Sequence, residues 1–136
     1  METRIRVRYA ETDAQGIAYH SNYLVWFEVA RTELFRRAVG ESPGDFFRSY
    51  GMPVIEASVR YHQPCRYDDE LSIGIELSQL RSRSLRFDYS IRRDGDLVSE
   101  GHTVHVCVDG GGAPCRIPLE LRQALATGEH NGDGSR

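Results

Sequence analysis

Asp13, Gly16 and His20 lie just ahead of a strongly apolar segment that begins at Asn22. A carboxylate set beside the start of a helix can do carbonyl chemistry. The first N–H groups of a helix have no intrahelical acceptor and sit at the positive end of its dipole, so they can hold an oxygen that gains negative charge. The carboxylate can attack the carbonyl carbon or activate water against it. A thioester is the kind of substrate such an arrangement would cleave. As an isolated Asp close to glycine, Asp13 equally suits an Asx-turn, and Gly16 suits an ordinary turn as well as a close approach by substrate. The His20 side chain has two readings, a substrate-orienting or proton-transferring group and a simple cap, while its backbone N–H lies where an oxyanion donor is needed.

Further along, Glu28 lies two turns into the apolar segment, where a carboxylate is costly unless paired; Arg31 is the candidate partner, and substrate contact the alternative. Arg81, Arg83 and Ser84 fall between two strand-like segments, where guanidinium groups could grip phosphate oxygens or simply face solvent. Two other patterns fail on chemistry. Gly40-Glu41-Ser42-Pro43-Gly44 matches a serine-hydrolase elbow in letters, but it follows a helix, and Pro43 lacks the N–H that the residue after the nucleophile must donate. His102 and His105, three apart on a predicted strand, point to opposite faces, so no metal site is expected there, and no cofactor either.

The elements that must position these residues follow from periodicity. Ile5, Val7 and Tyr9 alternate with arginines, predicting a strand over 4–9. Tyr23, Phe27, Ala30, Leu34 and Ala38 recur at helical steps, and Leu24, Trp26 and Val29 widen the apolar face. The spacing predicts a helix over Asn22 to Val39, buried nearly all round at its start, capped by Ser21 or Asn22 and ended by Gly40. Alternation then predicts strands over 55–61, 71–77 and 85–91. Asp94-Gly95 is a hairpin signal into a fifth strand reaching about Asp109, with Gly101 read as a bulge. A short helix over 118–126 and a disordered tail over 128–136 complete the expectation. One long helix among five strands, four of them consecutive, gives an α+β antiparallel sheet with the helix on one face.

The 136 residues suit one domain, here 1–127, with a single core. A formal charge of -3 offers no basic footprint, so nucleic acid is not an expected partner. All 17 basic residues are arginine. Three cysteines without close pairing, and no signal-like apolar run, point to the cytoplasm; no segment approaches the roughly 20 apolar residues of a membrane span.

The ordered string Glu11-Thr12-Asp13-Ala14-Gln15-Gly16, Tyr19-His20, Asn22-Tyr23-Leu24 and Phe27-Glu28-Val29-Ala30-Arg31 resembles the signature of hot-dog-fold acyl-CoA thioesterases of the 4-hydroxybenzoyl-CoA thioesterase family. Tyr67-Asp68-Asp69, Arg81-Ser82-Arg83-Ser84 and the last strand extend the likeness to nearly all of the chain except its tail. The resemblance implies a five-stranded sheet wrapped around one long central helix, and subunits paired as a homodimer or homotetramer. It implies Asp13 and His20 in catalysis, with the backbone N–H near His20 as oxyanion donor. Gly16, Tyr19, Asn22 and Glu28 would contact substrate, and Arg81, Arg83 and Ser84 the nucleotide end of coenzyme A. His20 and Glu28 depart from the family's namesake, which has Tyr and Asp there, so the general acyl-CoA branch is favoured over a hydroxybenzoyl substrate. Two alternatives remain within the same fold: a non-catalytic acyl-CoA-binding or scaffold protein, and a hydroxyacyl dehydratase, although no His-Phe loop of the dehydratase kind is visible.

Overall fold

Alternating apolar and polar residues form five strands: β1 (Glu2–Arg6), β2 (Val54–Tyr61), β3 (Glu70–Leu80), β4 (Ser84–Arg93) and β5 (Asp96–Val106). The structure is a computed structural model, which describes residues 1–40 and 43–133. Every neighbouring pair is antiparallel, in the order β1-β3-β4-β5-β2, so β1 and β2 are the edges. The β4–β5 hairpin turns on Asp94 and Gly95, with φ of 51° and 85°. Two consecutive positive φ values are what a two-residue turn matching the strand twist requires.

The predicted long helix forms as α1 (Asn22–Val39). Tyr23, Trp26, Phe27, Ala30 and Leu34 are its buried stripe, packed on Leu71 and Ile73 of β3 and Leu85, Phe87, Tyr89 and Ile91 of β4. Phe27 stacks on Tyr89 at 4.2 Å and 5°. Burial of such a side chain contributes roughly 1.5–3 kcal/mol. The rest of the first turns, expected to be buried nearly all round, is not covered within one chain. Leu24, Val25 and Val29 are 39%, 46% and 37% exposed, because the sheet curls around one side of the helix only.

Three further expectations need correcting. The first strand ends at Arg6, and Tyr9 begins a one-turn 3-10 helix (Tyr9–Glu11) with its ring exposed. Gly101 is not a bulge, since it pairs in regular register with Val59 on one side and Tyr89 on the other. It serves close packing instead: a Cβ there would meet the Ser58 carbonyl oxygen and come within 2.8 Å of the Phe27 ring. Finally, a short α2 (Pro43–Phe46) precedes β2, and the last helix, α3 (Leu119–Asp133), runs beyond 126 into the stretch expected to be disordered. Leu121 and Leu125 dock it on the core. Once docked turns exist, each further residue adds a hydrogen bond, which offsets weak glycine propensity. Residues 134–136 of that expected tail lie outside the described residues.

Candidate active site

Glu11 shapes the loop that carries Asp13. Its carboxylate, 5% exposed, accepts hydrogen bonds from the Arg8 backbone N–H at 2.8 Å, the Trp26 indole N–H at 3.0 Å and the Arg8 guanidinium at 3.3 Å. Burial alone would raise its pKa, but these donors and the Arg8 charge outweigh that and hold it below the ordinary carboxylate value. The Glu11 carbonyl in turn accepts the Tyr19 N–H at 2.7 Å and the Asn22 side-chain amide at 2.9 Å, closing the loop's two ends together. In the sequence Glu11 is one letter of the motif with no part of its own. An acid two residues before Asp13 and fifteen before a tryptophan carries no spacing signal.

Between those ends, Asp13 makes the Asx-turn: Oδ1 accepts the Gln15 N–H at 2.8 Å, and the Asp13 carbonyl accepts the Gly16 N–H at 2.9 Å. Gly16 sits at φ 80° with open space beside it, so the turn requires its missing Cβ for conformation rather than for clearance. Oδ2 of Asp13 has no partner among the described residues. The turn and the chemical reading are therefore compatible, since the turn fixes the carboxylate while leaving one oxygen free.

Asp13 and His20 line one cavity of about 340 Å³, together with Tyr23, Tyr61 and His62. The cap expected on α1 is absent. Ser21 makes no side-chain cap bond, and Asn22 spends its amide on Glu11. The backbone N–H groups of His20 and Ser21 have no acceptor among the described residues. Tyr61 donates its hydroxyl hydrogen to the His20 carbonyl at 2.9 Å, which holds this segment against β2. Burial raises the pKa of both Tyr23 and Tyr61, so they stay neutral hydroxyls near pH 7. The His20 ring lies against exposed Tyr19, centroids 4.2 Å apart.

The other predicted site residues are elsewhere. Glu28 is exposed on α1, makes no ion pair with Arg31 among the described residues, and lines a separate cavity of about 620 Å³ with Arg31, Phe35, Tyr50 and His105. His105 is buried there and kept neutral: burial and the Arg31 charge lower its pKa to about 4, against the bond from its Nδ1 to the Met52 carbonyl. His102, on the opposite face of β5, bonds Glu56 at 2.6 Å. Arg81 lines a third groove with Ser82, Arg116 and Arg122, of about 580 Å³. Arg83 is exposed and Ser84 begins β4, neither in that groove's lining. Of the rejected serine-hydrolase pattern, Glu41 and Ser42 lie outside the described residues.

A five-stranded antiparallel sheet curled on one long helix, with a carboxylate at that helix's uncapped start, is the arrangement of a hot-dog protein. The chain belongs to the thioesterase-like superfamily, whose family model matches residues 7–125. Among curated relatives, it is 35% identical over 106 residues to the acyl-CoA thioester hydrolase YbgC of Escherichia coli O6:H1, covering 77% of this chain and 79% of that one. Among solved structures, the hypothetical protein TT1821 of Thermus thermophilus matches with a TM-score of 0.87 and 37% identity over 93% of this chain and 97% of its own. The hypothetical protein AQ1494 of Aquifex aeolicus matches with a TM-score of 0.86 and 32% identity, over 92% and 98%. No helix among the described residues is long and apolar enough to cross a membrane.

Proposed function

We propose that this chain is an acyl-CoA thioesterase, releasing a free acid and coenzyme A, with Asp13 as nucleophile or general base and the His20 and Ser21 N–H groups as oxyanion donors. One observation carries the reading: a carboxylate oxygen without a partner and the uncapped start of α1 share one cavity. Membership of the thioesterase-like superfamily supports thioester hydrolysis, and the name of the E. coli relative supports coenzyme A as the carrier. Gly16 shapes the turn beneath Asp13, Asn22 holds its far end, and Tyr19 backs the His20 ring.

Glu28 and Arg81 lie in different cavities from Asp13 within one chain, so the complete site in this reading spans two copies, as a homodimer or homotetramer. Arg81 and Arg83, with Ser84 beside them, bind the phosphates of coenzyme A. Replacing both arginines with Ala therefore raises KM for long and short acyl-CoAs alike, with a smaller effect on kcat, because contacts remote from the carbonyl contribute mainly uniform binding. The same variant is near wild type on acyl-pantetheine, which lacks the nucleotide; equal impairment on both substrates would remove the arginines from phosphate binding. The overall reading is tested by free-thiol release over a panel of acyl-CoAs. Turnover supports hydrolysis, an enoyl product without thiol would indicate a dehydratase, and binding without turnover a scaffold.

A further inference from the structure

The cavity of Asp13 contains a second histidine, one that the family resemblance does not supply. His62 lines it, and its Nε2 lies 2.7 Å from Oε2 of Glu100. An ionised carboxylate only accepts, so Nε2 carries the hydrogen of this bond. In the neutral imidazole Nδ1 then carries the lone pair, and it has no partner among the described residues. A carboxylate that fixes a histidine's tautomer while the other nitrogen stays open is the arrangement of a base poised to take a proton.

The backbone around this pair is anchored on several sides. His62 and Gln63 donate their N–H groups to the Val98 carbonyl at 2.9 and 3.2 Å, tying the end of β2 to the strand that also carries Glu100. Arg93 clamps the following residues, donating to the Pro64 carbonyl at 2.9 Å, the Gln63 side chain at 3.1 Å and Asp69 at 2.9 Å. His20, the other histidine of the cavity, has no carboxylate partner among the described residues.

We propose that His62, positioned by Glu100, is the general base that activates water in the Asp13 cavity, and that Asp13 is the nucleophile. The proposal rests on the reading of Asp13 as the hydrolytic carboxylate and narrows it to one route. In the first step Asp13 Oδ2 attacks the thioester carbon and the C–S bond breaks with its electron pair going to sulfur. The thiolate leaves and takes a proton from solvent, and the acyl group is held on Asp13 as a mixed anhydride. In the second step water attacks the acyl carbon while His62 Nδ1 takes its proton. The bond from the acyl carbon to Asp13 breaks with the pair returning to the carboxylate, and the imidazolium and the acid product release their protons to solvent.

The test is thiol release from an acyl-CoA followed from the first turnover, in wild type, His62→Gln, Glu100→Gln and Asp13→Asn. His62→Gln is expected to lower kcat by about 10²-fold or more. It should show a burst of roughly one thiol per site before the slow phase, because hydrolysis of the acyl-enzyme then limits turnover. Mass spectrometry of the quenched variant then finds the acyl group on the peptide carrying Asp13. Glu100→Gln gives the same burst with a smaller loss, which a merely structural role would not produce. The His62 side chain is 39% exposed, so its variant is expected to fold, and matched melting curves check that. Turnover of His62→Gln within about threefold of wild type, or a slow variant without a burst, overturns the His62 assignment while an inactive Asp13→Asn leaves the Asp13 reading standing. An active Asp13→Asn would overturn both.

Discussion

At the scale of single residues, Glu11 supports the Asp13 loop in two ways. Its backbone carbonyl ties the loop's two ends together, and its carboxylate satisfies the Arg8 N–H and the buried Trp26 indole. Glu11→Ala leaves that N–H without an acceptor, an expected cost of about 1–3 kcal/mol, read by urea denaturation at pH 7. Because the folded-state pKa of Glu11 is lowered, its ionised form stabilises the fold above the unfolded value of 4.5, and that stability is lost as pH falls through the lower folded value. The gap between wild type and Glu11→Ala therefore narrows as pH falls below 4.5; a gap that stays constant in acid would mean that the charge contributes nothing. Asp13, Gly16 and His20 were legible in the sequence because they are close together and precede a helix. The His62–Glu100 pair was not, since it spans 38 positions and exists only because β2 and β5 are neighbours.

At the scale of elements, local pattern carried far. α1 has the predicted bounds, because its apolar steps and terminal Gly40 are both local signals. The Asp94-Gly95 hairpin was legible for the same reason. What pattern could not show is which neighbour each element meets. The inward side of β5 is polar or small, with Ser99, Thr103 and His105 buried, and tertiary bonds to the Arg60 carbonyl, Tyr89 and the Met52 carbonyl satisfy them. Gly101 belongs to that side, reading locally as a bulge and serving in fact as the seat of Phe27. Gly101→Ala is expected to destabilise by about 1–3 kcal/mol through overpacking against a ring and a backbone oxygen that cannot both retreat. Thermal melting checks this, and an unchanged midpoint would show that both the Phe27 ring and the β2 backbone yield at this point.

At the scale of the whole molecule, one chain leaves two apolar surfaces open to solvent. α1 presents Leu24, Val25 and Val29 to solvent, and edge strand β2 leaves Val54 and Ile55 42% and 62% exposed beside an unpaired backbone. Such an edge invites pairing, and a second copy would cover both surfaces. Light scattering at micromolar concentration should give at least twice the 15.4 kDa chain, and an active species of one chain's mass would contradict a site shared between copies. The most direct test of the account compares Asp13→Asn with wild type in acyl-CoA hydrolysis, with melting curves recorded on both. The amide preserves the side chain's shape but loses its nucleophilicity and basicity, so melting should be unchanged and thiol release should fall by about 10²-fold or more. Near-wild-type thiol release from a folded Asp13→Asn enzyme would contradict the account.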